Sequence, residues 1–311
     1  MKPNVLSIVG PTASGKSRLA LALCKAFDGE LVSVDSMQVY RGLTIGTAKP
    51  GLAERLEVPH HLVDCADPSD GYNLARFLAE ATVAVSDIVS RGKLPVLCGG
   101  TGLYMDTLLS GAPLSTVSAD AALRQVLEAK DSAVLHAELA SLDSGTAARL
   151  HPNNRRKVIR AIELLSSGET PAAKIPEIAE APYRVCSLGL SYSDRALLYA
   201  AIDSRVDAMM KAGLLSEAEQ LFTGAFGENP SKTALQAIGY KEFLPYFAGQ
   251  GTLEASVSML KQESRRYAKR QLTWFKRNAA IHWYFVDRHK DFSDIIEHST
   301  KFVGFFLNNP A

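Results

Sequence analysis

An α/β fold, a parallel sheet flanked by helices and carrying a helical insertion, is predicted by three observations on this 311-residue chain. In the first hundred residues, short apolar and β-branched runs alternate with longer stretches of helical periodicity, the pattern of strands covered on both faces. The first of these runs passes through a glycine-rich loop directly into a helical repeat. From about residue 112 the strand signal stops, helical segments follow one another, and an alternating run near residue 184 restores it.

Each element follows in order. "NVLSIV", residues 4 to 9, reads as a strand, and residues 16 to 27 as a helix. "ELVSVDS", 30 to 36, is a second strand ending in polar residues; residues 73 to 91 form a helix stopped by Gly92, and "LPVLCGG", 94 to 100, is a third strand ending in two glycines. "APLSTVSAD", 112 to 120, is turn-rich, residues 119 to 168 read as successive helices, and "PAAKIPEIAEAP", 171 to 182, is a Pro- and Ala-rich connector. "YRVCSLGLS", 183 to 191, alternates like a strand rejoining the sheet, and residues 194 to 223 and 252 to 277 read as long helices. The last thirty residues carry no readable signal. The expected division is a core domain of residues 1–111 and 183–311, with 112–182 inserted.

Composition excludes several classes. Hydrophobic residues at 47% and charged residues at 22% fit a globular protein with a sizeable core, not a disordered, collagenous or membrane chain. No stretch reaches the roughly twenty apolar residues of a spanning helix, and "GPTASGKS" interrupts the N-terminal apolar run as no signal peptide would. Cys24, Cys65, Cys98 and Cys186 are far apart with no C-x-x-C pair, which argues against a zinc site or a disulfide scaffold. The expectation is a cytoplasmic protein with reduced thiols, no membrane association and no obligate protein partner.

Chemistry concentrates at the strand ends. Gly10, Pro11, Thr12, Ala13, Ser14, Gly15, Lys16 and Ser17 match G-x-x-x-x-G-K-[ST] between a strand and a helix, the context of a phosphate-binding loop, so the sheet is expected to be P-loop NTPase-like. The glycines let backbone N–H groups face an anion, Lys16 adds a point charge, and Ser17 can ligate Mg2+. Asp35 ends the run "LVSVD", where a Walker-B aspartate or a catalytic base would sit. Thr101, in "GGTGLY", occupies the equivalent end of the third strand. Arg205, in "AIDSRVDAMM", falls on an amphipathic helix and reads as a surface or rim arginine. His60 and His61 lack partners at metal-ligand spacing and are expected to be packed or hydrogen-bonded.

The formal net charge is only +1, yet residues 260 to 277 hold seven Lys or Arg against a single Glu. "NNRRKVIRAIE", 153 to 163, places Arg156 and Arg160 four apart with Lys157 adjoining; "SRRYAKRQLTWFKR", 264 to 277, pairs Arg265 with Lys269 and Arg266 with Arg270 among aromatic residues. One such stretch is as well explained by a solvated face; two in a near-neutral chain favour a nucleic-acid partner. On the residues alone, a small-molecule kinase or NTPase and an RNA-binding module with a vestigial loop both remain open.

"GPTASGKS", "SVDSMQVYRGLTIGTAKP", "VPHHLVD", "GGTGLY", "HPNNRRKVIRAIE", "LQAIGYKEF" and "KRQLTWFKR" occur in the order and approximate spacing of bacterial tRNA dimethylallyltransferases, and from residue 4 to about 286 the chain resembles that tRNA isopentenyltransferase family. The resemblance implies transfer of a dimethylallyl group from dimethylallyl diphosphate to N6 of adenosine-37 in tRNA, so that the loop holds a prenyl diphosphate. It implies Asp35 as general base, Thr101 as the residue orienting the amine, Arg205 as a diphosphate ligand, and Ser17 as the Mg2+ ligand. It also implies tRNA contacts at Asp35, Ser36, Met37 and Gln38, at Thr101 and Arg124, at Arg156, Lys157, Val158, Ile159 and Arg160, at Gln236, Ala237, Ile238, Gly239, Tyr240 and Lys241, and at Lys269, Arg270, Gln271, Leu272, Thr273, Trp274, Phe275 and Lys276. Asn154 and Lys157 stand where some members carry Asp and Arg, and the Cys and His pairs of the eukaryotic zinc-finger extension are lacking. An adenylate prenyltransferase would share the chemistry but need neither the helical insertion nor the basic C-terminal helix.

Overall fold

The computed structural model describes residues 2–113, 120–171, 181–224, 226 and 229–309. They divide into two compact units, residues 1–109 with 181–311, and residues 110–180. Most of the turn-rich stretch 112–120 and of the connector 171–182 lies outside the described residues.

The larger unit is built on a six-stranded parallel sheet. In chain order its elements are β1 (Asn4–Val9), α1 (Lys16–Ala26), β2 (Gly29–Ser33), α2 (Leu52–Glu57), β3 (His60–His61), α3 (Leu74–Ser90), β4 (Leu94–Cys98) and α4 (Gly102–Ser110). After the insertion come β5 (Arg184–Ser191), α9 (Arg195–Lys211), α10 (Leu214–Phe222), α11 (Lys232–Leu235), α12 (Leu244–Phe247), α13 (Leu253–Phe275), β6 (His282–Phe285) and α14 (Phe292–Asn308). The strand order is β3-β2-β4-β1-β5-β6, with Leu6 opposite both Val96 and Cys186. β2 and β4 are buried along their whole length, as strands covered on two faces must be, with Glu30 of β2 buried against His61 and Arg91. One layer packs Leu19, Leu23 and Ile295 against Ile8 and Leu188; the other packs Phe77, Val85 and Phe275 against Val5 and Leu97.

The smaller unit holds α5 (Ala121–Glu128), α6 (Ser132–Leu142), α7 (Ser144–Arg149) and α8 (Arg155–Ser166) around Leu127, Leu135, Leu139, Val158 and Ile162. Asp120 and Asp143 cap α5 and α7 through their side chains.

The structure departs from the sequence reading in two places and adds one short strand. Residues 194 to 223 are two helices, because Gly213 takes a φ of 100° that ends one and starts the next. The last thirty residues contain β6 and α14, the latter capped by Asp291, which accepts from the backbone N–H groups of Ser293 and Asp294. β3 is only two residues long, too short for any periodicity to reveal. His60 and His61 are hydrogen-bonded, to the Val58 carbonyl at 2.7 Å and to Glu30 at 2.8 Å. The four cysteines are free thiols. Among the described residues no helix is long and apolar enough to cross a membrane.

Candidate active site

β2, β4 and β1 are neighbours in the sheet, so the segments leaving their carboxyl ends converge, as α/β folds arrange ligand sites. These segments are the loop 10–17, the loop beginning at Asp35, and the turn 99–102. The first loop needs its glycines. Gly10 has a φ of 141°, and a Cβ there would lie 2.2 Å from the Leu190 carbonyl oxygen; Gly15 has a φ of 89° and abuts the Phe292 ring. Ser14 Oγ and Lys16 Nζ both donate to the Pro11 carbonyl, at 2.9 and 2.7 Å, closing the loop on itself.

A cavity of about 340 Å³ lies at this edge, within the range of small-molecule sites. Thr12, Lys16 and Ser17 line it from the loop, Asp35 to Gln38 from the second segment, Arg205 from α9, and Tyr267, Arg270 and Gln271 from α13. Burial is the main reason the Lys16 ammonium is lowered to about 8; Arg205 adds to the lowering, while Cys98 and Asp35 oppose it. Burial also lowers the Arg205 guanidinium, with the Asp35 charge opposing. Neither cation makes an ion pair among the described residues. Two desolvated cations without an ion pair thus face one cavity, an arrangement suited to an anion. Arg205, expected at the surface or a rim, is half-buried at the cavity wall: its apolar neighbours Ile202 and Val206 are buried, and the same turn carries Arg205 into the lining.

Asp35 Oδ1 accepts from the backbone N–H groups of Met37 and Gln38, at 2.8 and 3.3 Å, and Oδ2 has no protein donor among the described residues. Thr101 does not line the cavity; its Oγ1 accepts from the Ser36 N–H at 3.2 Å, tying the turn after β4 to the Asp35 segment. Gln271 spans more of the site: its side chain accepts from the Thr12 N–H at 2.9 Å and donates to the Gly100 carbonyl at 3.1 Å. Burial and the Asp35 charge push up the Tyr267 hydroxyl, which neighbours Thr101 and Gln271.

The loop 44–48 forms a further wall. Glu217, on α10, accepts from three successive backbone N–H groups, those of Thr44, Ile45 and Gly46, and from the Tyr240 hydroxyl at 2.7 Å. Gln38 Nε2 donates to the Thr47 and Ala48 carbonyls, and its Oε1 accepts from Ser33 Oγ. Glu217 and Tyr267 escaped the sequence reading, since a lone Glu and a Tyr on amphipathic helices look like any others.

The residues expected to touch RNA separate by exposure. Arg156, Lys157, Gln236, Lys269, Arg270, Thr273 and Lys276 are exposed, whereas Val158, Ile159, Ala237, Gly239, Tyr240, Gln271 and Phe275 are buried. The side chains of Val158, Ile159, Tyr240 and Phe275 pack in the core, which leaves only their backbone to meet the RNA contact expected of them. Leu272 packs on Leu198 and Ile202, and Trp274 Nε1 donates to Asp106 at 2.7 Å. Ile238 and Lys241 line the cavity. Arg124 clasps the buried Glu163 through two hydrogen bonds of 2.7 and 2.9 Å, which Arg160 joins at 3.2 Å.

A family model described as IPP transferase matches residues 38–278, and one described as isopentenyl transferase matches residues 3–62. A tRNA dimethylallyltransferase of Enterococcus faecalis is 46% identical over 287 residues, covering 90% of this chain and 91% of the relative. A crystal structure of the tRNA isopentenylpyrophosphate transferase from Bacillus halodurans superposes with a TM-score of 0.74 at 40% identity, covering 99% of this chain and 97% of that one. A eukaryotic dimethylallyltransferase acting on tRNA gives 0.84 at 31% identity, over 99% and 80%. By fold, by strand-end site and by similarity along nearly its whole length, the chain belongs to the tRNA dimethylallyltransferase family of IPP transferases.

Proposed function

We propose that the chain transfers the dimethylallyl group of dimethylallyl diphosphate to N6 of adenosine-37 in tRNA and releases diphosphate. The observation that carries this reading is the pairing of Lys16 and Arg205, desolvated and without a carboxylate partner, beside the loop amides and across from Asp35. A diphosphate there has the charge of its departure countered before the C–O bond breaks. Ser17, at the head of α1, has an exposed hydroxyl with no hydrogen-bond partner among the described residues, and it fits a Mg2+ ligand beside the phosphates. Held there, the ion would supply further counter-charge to the departing diphosphate.

The N6 lone pair attacks the allylic carbon, the C–O electron pair leaves with diphosphate, and the amine proton passes to the Asp35 carboxylate. The backbone N–H groups of Met37 and Gln38 hold Oδ1 of that carboxylate, and Thr101 fixes its segment through Ser36, so Oδ2 is held in place to accept. A stacked adenine reaches it only by leaving the anticodon loop, at a cost of a few kcal/mol that contacts to the RNA backbone offset.

Incubation with labelled dimethylallyl diphosphate, Mg2+ and an anticodon stem-loop carrying adenosine-37 should place label in the RNA. Asp35→Ala should slow transfer by at least about 10²-fold while RNA binding stays nearly unchanged. Steady hydrolysis of a nucleoside triphosphate without prenyl transfer would overturn the reading in favour of an NTPase.

A further inference from the structure

Outside the cavity, one side-chain cluster has the makings of a metal centre. Asp294 and His298 stand four residues apart on one face of α14, and His289 lies three residues before that helix begins. His289 Nδ1 lies 2.8 Å from one Asp294 carboxylate oxygen, and His298 Nδ1 lies 3.5 Å from the other. One donor atom from each of the three residues falls within 4.8 Å of the other two. Tetrahedral bonds of about 2.0–2.2 Å place ligand atoms about 3.3–3.6 Å apart, so small side-chain rotations close the set. The His289 and His298 rings are 5.6 Å apart, and Tyr284 lies against His289 at 5.9 Å, which gives the cluster an aromatic wall. None of the three residues lines the catalytic cavity.

We propose that His289, Asp294 and His298 bind a first-row transition ion, Zn2+ by preference, leaving a fourth position for water. Two imidazoles and one carboxylate suit Zn2+ or Co2+ and disfavour Mg2+, which seeks oxygen donors in octahedral array. The site is thus chemically separate from any Mg2+ at the diphosphate. Its position has a structural consequence. Phe292 falls between His289 and Asp294, its ring packs on Gly15 of the phosphate-binding loop, and Arg18 lies over it at 4.5 Å. A bound ion clamps the segment that backs the loop.

The test uses the full chain, stripped with chelator and titrated with Co2+ in excess Mg2+. One equivalent should bind with the intense visible absorption of a tetrahedral ion and be displaced by Zn2+. His298→Ala, at a half-exposed position whose truncation opens no core cavity, should bind at least about tenfold more weakly. Asp294→Asn should do likewise, whereas His151→Ala, in the smaller unit, should behave as the native chain. Zn2+ should raise the thermal midpoint of the native chain and leave that of His298→Ala unmoved. Equal Co2+ affinity in the native chain and His298→Ala, or no binding by the native chain, overturns the proposal and leaves a hydrogen-bonded His-Asp-His staple.

Discussion

α8 and α13 look alike as sequences, each a helix with basic residues at i, i+4 spacing, and they differ in how much of that charge is already committed. On α8, Arg160 turns to the buried Glu163, which also holds Arg124, and Arg155 donates to Ser132 Oγ and the Glu128 carbonyl. Arg156 and Lys157 are left exposed without an ion pair among the described residues. On α13 the amino-terminal half is pinned to α9 by Lys261–Asp207 and Arg265–Asp203, both 2.6 Å. Farther along, Lys269, Arg270 and Lys276 are exposed without ion pairs among the described residues, Arg270 at the rim of the cavity that the buried Gln271 also lines. Basic spacing therefore reports a candidate surface, and internal carboxylates decide which cations remain available to phosphate.

The sharpest way to break this comparison is Glu163→Gln. It removes the charge that α8 folds around and leaves two arginines competing for an amide, so denaturant unfolding should show a loss of about 3–5 kcal/mol. Gln271→Leu on α13 should instead spare stability and cut single-turnover prenyl transfer by about 10²-fold, because it unties the phosphate-binding loop from the Gly100 turn. An unchanged rate would mean that the link does not position the site. Charge reversal at Lys269 and Arg270 should weaken tRNA binding and flatten its salt dependence by about one unit of slope per lost phosphate contact. Reversal at Arg156 and Lys157 should have a smaller effect on binding and none on the chemical step, and filter-binding titrations at several salt concentrations compare the two pairs. The mildest effect concerns pH. With Lys16 lowered to about 8, the protonated form that attracts an anion is lost as pH rises through that value. Calorimetric affinity for diphosphate should accordingly be highest below pH 8 and decline above it, and Lys16→Arg should remove the decline.

The reach of sequence reading follows the same line between local and tertiary signals. The strand β1, the loop 10–17 and helix α1 were legible because each is dictated by neighbours in the chain: an apolar run, glycines at fixed offsets, a helical repeat. Asp35 and Thr101 are expected near one another because strand ends in a parallel sheet share one rim, and the structure puts Asp35 in the cavity wall with Thr101 bonded to its segment. α14 was not, since its buried residues Ile295, Ser299 and Val303 include a serine, and exposed Phe302 and Phe305 blur the stripe. Residues alone place Arg205 no more closely than a surface or rim, because helical periodicity tells how a face alternates and not that its polar side meets a cavity; only the family resemblance implies a diphosphate role. Glu217 has no local signature at all, being defined by amides more than 170 residues away.

That carboxylate fixes the wall formed by residues 44–48. Glu217 sits in a cradle of consecutive N–H groups of the kind that suits a phosphate, except that this anion belongs to the protein and never leaves. The segment 44–48 consequently has its shape before any substrate arrives. Ordering that wall then costs little chain entropy on association, and under the proposed function a base is selected by its fit to a surface that does not adapt to it.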